Sequence, residues 1–169
     1  MGHIQLAAPV AHIWFFKNVP SKLSILLDIP MGKIEKVIYY VSFIITSVNE
    51  AGVKKVLDAL EKEFETRKKT ARQEGVKIDE LRSGLNAARK ELESLQVGKV
   101  LNESEYVNIS RRFGDIFEAS SGAESIRKIL ETLDLKKLVT ALKKEVSAIK
   151  DPLEEKTLLR RLKLASSFY

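Results

Sequence analysis

The chain has 169 residues, with 29 Lys and Arg against 23 Asp and Glu and a formal charge of +6. That length suits one domain or two small ones with a real buried core. There is no cysteine and there are only two histidines, His3 and His12, which excludes disulfides, thiolate zinc sites, iron–sulfur clusters, a cysteine nucleophile and a zinc site built from histidine alone.

No basic region precedes the N-terminal apolar run, and Pro9 and His12 interrupt it, so no signal peptide is expected. The longest uncharged apolar stretch, residues 37–48, is short of the roughly 20 residues a membrane helix needs. The expectation is a soluble, intracellular protein without a membrane partner.

Composition changes near Asn49. Residues 1–50 hold four Lys and Arg, three Asp and Glu, the single Trp and all but one of the Pro residues; 25 basic and 20 acidic residues follow. Residues 3–16 read as two extended segments broken at Pro9, since Pro removes a ladder donor. Ser21 is placed to cap a helix over Lys22–Leu27, and a second helix is expected over residues 31–40, after Pro30. Residues 41–48 are rich in β-branched residues and carry no charge, which predicts a buried strand.

From residue 51 to 74, Val53, Val56, Leu57, Leu60 and Phe64 share one helical face. Ile78, Leu81, Leu85, Ala88, Leu92 and Leu95 then follow at heptad spacing. Each stripe needs a cover, so the two helices should form an antiparallel hairpin joined at residues 75–77. Gly98 ends it, and residues 97–101 return as a strand. Asn102 with Glu105 has the form of a capping box for a helix over Glu103–Phe113. An extended segment at 116–120 follows, then helices over 123–133, 135–149 and from Pro152 onward, with Asp151 as N-cap. The final Phe168–Tyr169 pair is an abrupt ending that fits a segment of something longer.

No site chemistry emerges. Gly32–Lys33 and Gly98–Lys99 lack the earlier Gly of a phosphate loop, with Leu27 and Glu93 in its place. There is no G-x-S-x-G elbow and no Asp-x-Asp-x-Asp cluster. His12 reads as a packing or capping residue near Trp14. Glu61, Glu63 and Glu65 do not share a helical face, so they read as solvated surface. The basic clusters are Arg67-Lys68-Lys69 with Arg72, Arg111-Arg112, Lys136-Lys137, Lys143-Lys144, and Lys156 with Arg160-Arg161-Lys163. Most are interleaved with acids. Lys156, Arg160 and Lys163 stand out, because spacings of four and three put them on one helical face.

Residues 1–21, MGHIQLAAPVAHIWFFKNVPS, follow the pattern M-G-H-I-x-L-A-x-P-x-A-H-I-W-F-x-K-x-x-P-S. They closely resemble the N-terminal part of the largest catalytic subunit (beta') of bacterial DNA-dependent RNA polymerase. The likeness continues through residues 34–40, LNESEYVNISRRFG at 101–114, Phe117-Glu118-Ala119 with Gly122-Ala123-Glu124, and Arg161-Leu162-Lys163-Leu164 with Phe168. It departs over residues 47–99, where many members have only a short connection, so the hairpin resembles an insertion whose role is not carried over.

The resemblance implies a segment of the polymerase clamp, the pincer that closes over DNA, carrying no catalytic residue and no metal ligand. The zinc ribbon would lie upstream and the three-aspartate magnesium motif downstream, so magnesium and zinc belong elsewhere in the subunit. Implied partners are downstream double-stranded DNA, the beta, alpha and omega subunits, and sigma factor through neighbouring parts. Lys17, Lys143, Lys156, Arg160 and Arg161 would be the candidates to face the duplex, because Lys and Arg hold phosphates without reading bases. The location implied is the cytoplasm, at the nucleoid. A competing reading makes the 51–96 hairpin a protein-interaction module for a transcription or regulatory partner. A free-standing enzyme has no site constellation behind it.

The fold expected is α+β and mostly helical. Residues 1–48 form a strand-containing base, 49–97 a projecting hairpin, and 98–169 a helical segment leading toward the lid and clamp helices.

Overall fold

Residues 3–16 form no strand. Ile4, Leu6 and Val10 are exposed in irregular backbone, and only α1 (Ile13–Phe16) is regular. An extended segment becomes a strand only when a ladder partner satisfies its N–H and C=O groups. The only sheet among the described residues has the order β2-β1-β3 and does not include this segment. The computed structural model describes residues 2–74, 78–149 and 151–168, without the side chains of 69–74 and 78–80. The expected hairpin turn at 75–77, the Lys69 and Arg72 side chains, that of Ile78, and Tyr169 lie outside the described residues.

The helices of the base follow their local signals. Ser21 Oγ accepts the Ser24 N–H at 3.2 Å and caps α2 (Lys22–Leu27), which Asp28 ends in the left-handed region at φ 58°. After Pro30 comes α3 (Met31–Ile38). It stops two residues short of Tyr40, because Tyr40 turns to φ 63° and the N–H groups of Val41 and Ser42 both donate to Lys36 O. This wrap satisfies the helix's last carbonyls.

The uncharged run becomes β1 (Phe43–Val48), the central strand, antiparallel to β2 (Val100–Leu101) and β3 (Phe117–Ser120). Ile44 and Ile45 are both fully buried. Successive strand side chains point to opposite faces, so these two neighbours enter different cores. Ile45 packs with Leu92, Leu95, Leu101, Ile109 and Phe113. Ile44 packs with Phe16, Ile34, Val37, Ile126 and Ile129.

On the Ile45 side stand α4 (Glu50–Glu74) and α5 (Ile78–Glu93). They run antiparallel, with Glu61 bridging Arg89 at 3.7 Å and Phe64 lying across from Leu85. Burial along α5 rises toward its root. Leu81 and Leu85 are half-buried, whereas Ala88, Leu92 and then Leu95 just beyond the helix are buried. The hairpin's root is therefore part of the sheet's core. β2 is shorter than expected, because residues 97–99 turn, with Gly98 at φ 89°. α6 (Glu103–Phe113) carries the full capping box between Asn102 and Glu105.

On the Ile44 side lies α7 (Ala123–Thr132). Its N-cap, Gly122, has φ 87° and ψ 175°, and donates its N–H to Val37 O at 2.8 Å. A Cβ there would stand 2.6 Å from the Tyr40 ring. The final pair, α8 (Leu135–Ala148) and α9 (Pro152–Ser167), starts at Asp134 and Asp151 caps. The pair closes a third core around Leu26, Leu142 and Ala165.

Gly122→Ala is expected to destabilise the chain by about 1–3 kcal/mol, the cost of a side chain in glycine-only backbone, and equilibrium denaturation measures it. Leu92→Ala is expected to cost about 2–5 kcal/mol and Leu81→Ala clearly less. Removing residues 50–97 and joining the ends should abolish cooperative unfolding, since the deletion takes Leu92 and Leu95 out of the core.

Candidate nucleic-acid interface

The basic surface is built on α8 and α9. Both helices turn apolar stripes inward, Leu138, Val139 and Leu142 from α8 and Leu158, Leu162 and Ala165 from α9. Their remaining faces are left to water, and the sequence places lysine and arginine there. Lys143, Lys144, Lys156, Arg160 and Lys163 are all exposed, and none has an ion pair among the described residues. A cation that is exposed and not neutralised by a neighbour keeps its full attraction for phosphate. On α8, Lys136, Lys137, Thr140, Ala141 and Lys144 line a shallow depression of about 380 Å³.

The five residues named from sequence separate into two groups. Lys143, Lys156 and Arg160 project from the paired helices. Lys17 and Arg161 are engaged within the protein. Lys17 is the C-cap of α1 and bridges Glu35 of α3 at 3.2 Å. Its hydrogen bond to the Glu35 carboxylate holds its pKa above the ordinary lysine value. Its ammonium also lies 5.8 Å from the centre of the Tyr39 ring. Arg161 is largely buried, its side chain 19% exposed. It donates Nε–H to Leu26 O at 3.3 Å and a terminal N–H to Asp28 Oδ2 at 3.1 Å.

Arg161 therefore positions the surface. It joins the middle of α9 to the Leu26 carbonyl and the Asp28 carboxylate at the end of α2. Arg160, one residue earlier, turns the other way and is exposed. Adjacent arginines on a helix point about 100° apart, so one can be internal while the other faces water.

Sequence periodicity located the α9 stripe but not its surroundings. The loop after α1 comes up against α9 and makes a groove of about 500 Å³. Trp14, Val19 and Lys22 line one side, and Arg160 and Lys163 the other. Nothing in the spacing of residues 14–22 relates them to residues 160–163. That proximity follows from the packing of α2 on α9.

Catalytic geometry is missing among the described residues. His12 Nδ1 accepts the Trp14 N–H at 3.1 Å, which makes it the N-cap of α1. Glu61, Glu63 and Glu65 are exposed on α4, with Glu63 and Glu65 paired to Arg67 and Lys68. No group of three His, Cys, Asp or Glu among the described residues is placed to hold a metal ion. No described helix is long and apolar enough to cross a membrane.

At the start of α8, the Asp134 carboxylate accepts the N–H groups of Lys136 and Lys137 at 3.0 and 3.1 Å. These bonds, led by that of Lys137, lower its pKa from the ordinary aspartate value. A depressed carboxylate pKa adds stability that is present above the unfolded pKa and lost as pH falls through the folded one. The first turn of α8 is therefore expected to fray as pH is lowered through and below the usual aspartate range, read by amide exchange of Lys136 and Lys137. Asp134→Asn should remove most of that pH dependence.

No family model matches the chain. Curated relatives do. The DNA-directed RNA polymerase subunit beta' of Dehalococcoides mccartyi is 34% identical over 81% of this chain and 12% of its own length. That of Buchnera aphidicola is 33% identical over 99% of this chain and 9% of its own. That of Pseudoalteromonas translucida is 32% identical over 100% of this chain and 9% of its own. The chain thus spans about a tenth of the length of these relatives.

Proposed function

The chain belongs to the beta' subunit family of DNA-directed RNA polymerase, as a segment of that subunit, and on that premise we propose that it forms part of the clamp and helps hold downstream duplex DNA during transcription. The observation that carries this reading is the set of exposed cations without ion partners among the described residues, Lys143, Lys156 and Arg160, on a pair of helices fixed to the base through Arg161. A polymerase must grip DNA of any sequence and still let it move. Phosphate contacts from flexible cations do both, because they read no bases and exchange counterions as the duplex slides.

In this reading Arg161 keeps the surface in shape and Lys17 is engaged with Glu35 in the base, while the other three touch phosphate. Nucleotidyl transfer would belong to the complete polymerase, with magnesium and zinc held by parts of the subunit outside this segment. The beta, alpha and omega subunits and sigma factor would be met by the assembled subunit, at the bacterial nucleoid. Residues 49–97 would be an inserted helical hairpin that many members of the family lack, seated on the core through Leu92 and Leu95.

The hairpin supports a second role. Among the described residues, its arms beyond Leu60 and Leu92 carry none of the residues of the sheet's core. A helical pair standing free of the core is a suitable platform for a protein partner. Replacing the exposed charges of this distal part should leave duplex binding unchanged in either role.

The DNA reading is tested by duplex binding of the 169-residue chain over a range of salt. The logarithm of affinity should fall linearly with the logarithm of salt concentration, by about 0.9 per phosphate neutralised. Changing Lys143, Lys156 and Arg160 each to Gln should reduce that slope by roughly one per residue, whatever the DNA sequence. Lys17→Gln should change it least. Affinity independent of salt would overturn the assignment.

A further inference from the structure

The groove between the α1–α2 loop and α9 has a different chemistry from the lysine-bearing helix faces. Trp14, the chain's only tryptophan, is 57% exposed there, and Val19 beside it is 88% exposed. Pro20, Ile25 and Leu164 continue the apolar lining. Among the described residues, the charged ones lining the groove are Lys22, Arg160 and Lys163, with no carboxylate side chain. Lys22 lies over the Phe15 ring at 5.7 Å, which leaves its charge uncancelled. Arg160 and Lys163 have no ion pair among the described residues.

We propose that this groove binds a single strand of nucleic acid, with Trp14 stacked on a base and Lys22, Arg160 and Lys163 on the flanking phosphates. Three cations without a carboxylate call for an anionic ligand. An exposed indole lining the same groove calls for a flat apolar face close to those anionic groups. A single strand offers both at every nucleotide, and base–aromatic stacking tolerates any sequence. A duplex matches the cations but keeps its base faces inside the stack. An acidic peptide matches the cations but brings no planar face at each step. This site goes beyond the duplex contact proposed above and shares only Arg160 with it. Lys143 and Lys156 do not line the groove, so either proposal can fail alone.

The tryptophan is its own reporter. The 169-residue chain would be titrated with an oligothymidylate of about 12 nucleotides, within the span such sites cover. A duplex of equal length and polyglutamate would be run in parallel. The expected result is quenching of Trp14 fluorescence by the single strand alone, weakening as salt rises. With a labelled strand and anisotropy as readout, Trp14→Leu should weaken binding about ten-fold, as loss of one stacked base does, and leave duplex affinity unchanged. Trp14→Phe should keep most of the affinity, and Lys163→Gln should reduce it. These two variants decide the matter if Trp14→Leu does not fold by circular dichroism. Oligouridylate shows whether the 2′-hydroxyl is read, and quenching by either strand supports the site. Equal quenching by duplex or polyglutamate, no quenching at saturation, or full single-strand affinity in Trp14→Leu would overturn it.

Discussion

Two neighbouring isoleucines on one strand hold the molecule together. Ile44 and Ile45 are both fully buried, and the pleat sends them to opposite faces of the sheet. One face receives α1, α3 and α7; the other receives α6 and the root of the α4–α5 hairpin. A three-stranded sheet would be marginal alone. Here it is stable because both faces are covered, and it works as the partition between two cores. A charge at either position would have no solvent to face.

The third core is joined to the others by α2. Leu26 packs against Leu142 and Ala165, while Leu23 and Leu27 of the same short helix lean on the core beneath Ile44. The Arg161 guanidinium adds a directional link, meeting the Leu26 carbonyl and the Asp28 carboxylate. Asp28 can present that carboxylate because it ends the helix in the left-handed region, which short polar side chains tolerate. Burial fixes how far α9 lies from the base, and the hydrogen bonds fix its rotation. That rotation decides which basic residues reach water.

Function in this segment is a matter of presentation. Its described residues bring no nucleophile, base and orienting group together, and its histidine caps a four-residue helix. In the proposed reading its working groups are cations that have no ion partner among the described residues. Among the described residues, Lys17, Arg67, Arg89, Arg112 and Arg127 are matched with carboxylates, whereas the exposed cations of α9 are not. The proposed clamp role would give that asymmetry a use, since unpaired cations hold a polyanion.

Local chemistry made most elements legible. The Ser21 cap, the capping box of Asn102 and Glu105, and Asp151 before Pro152 each use side chains within a few residues of a helix start, and the helices begin where these residues place them. The hairpin followed from two apolar stripes that each need a cover. The family was legible in the first 21 residues. The failed strands at 3–16, the depth at which Leu92 and Leu95 anchor the hairpin, the internal engagement of Lys17 and Arg161, and the groove joining Trp14 to Lys163 were not. Each depends on partners many residues away. A sequence specifies which groups must find a partner; only the packed chain decides which partner they meet. Arg160 and Arg161 are chemically identical neighbours, and the path of α2 beneath α9 makes one a structural tie while the other faces water.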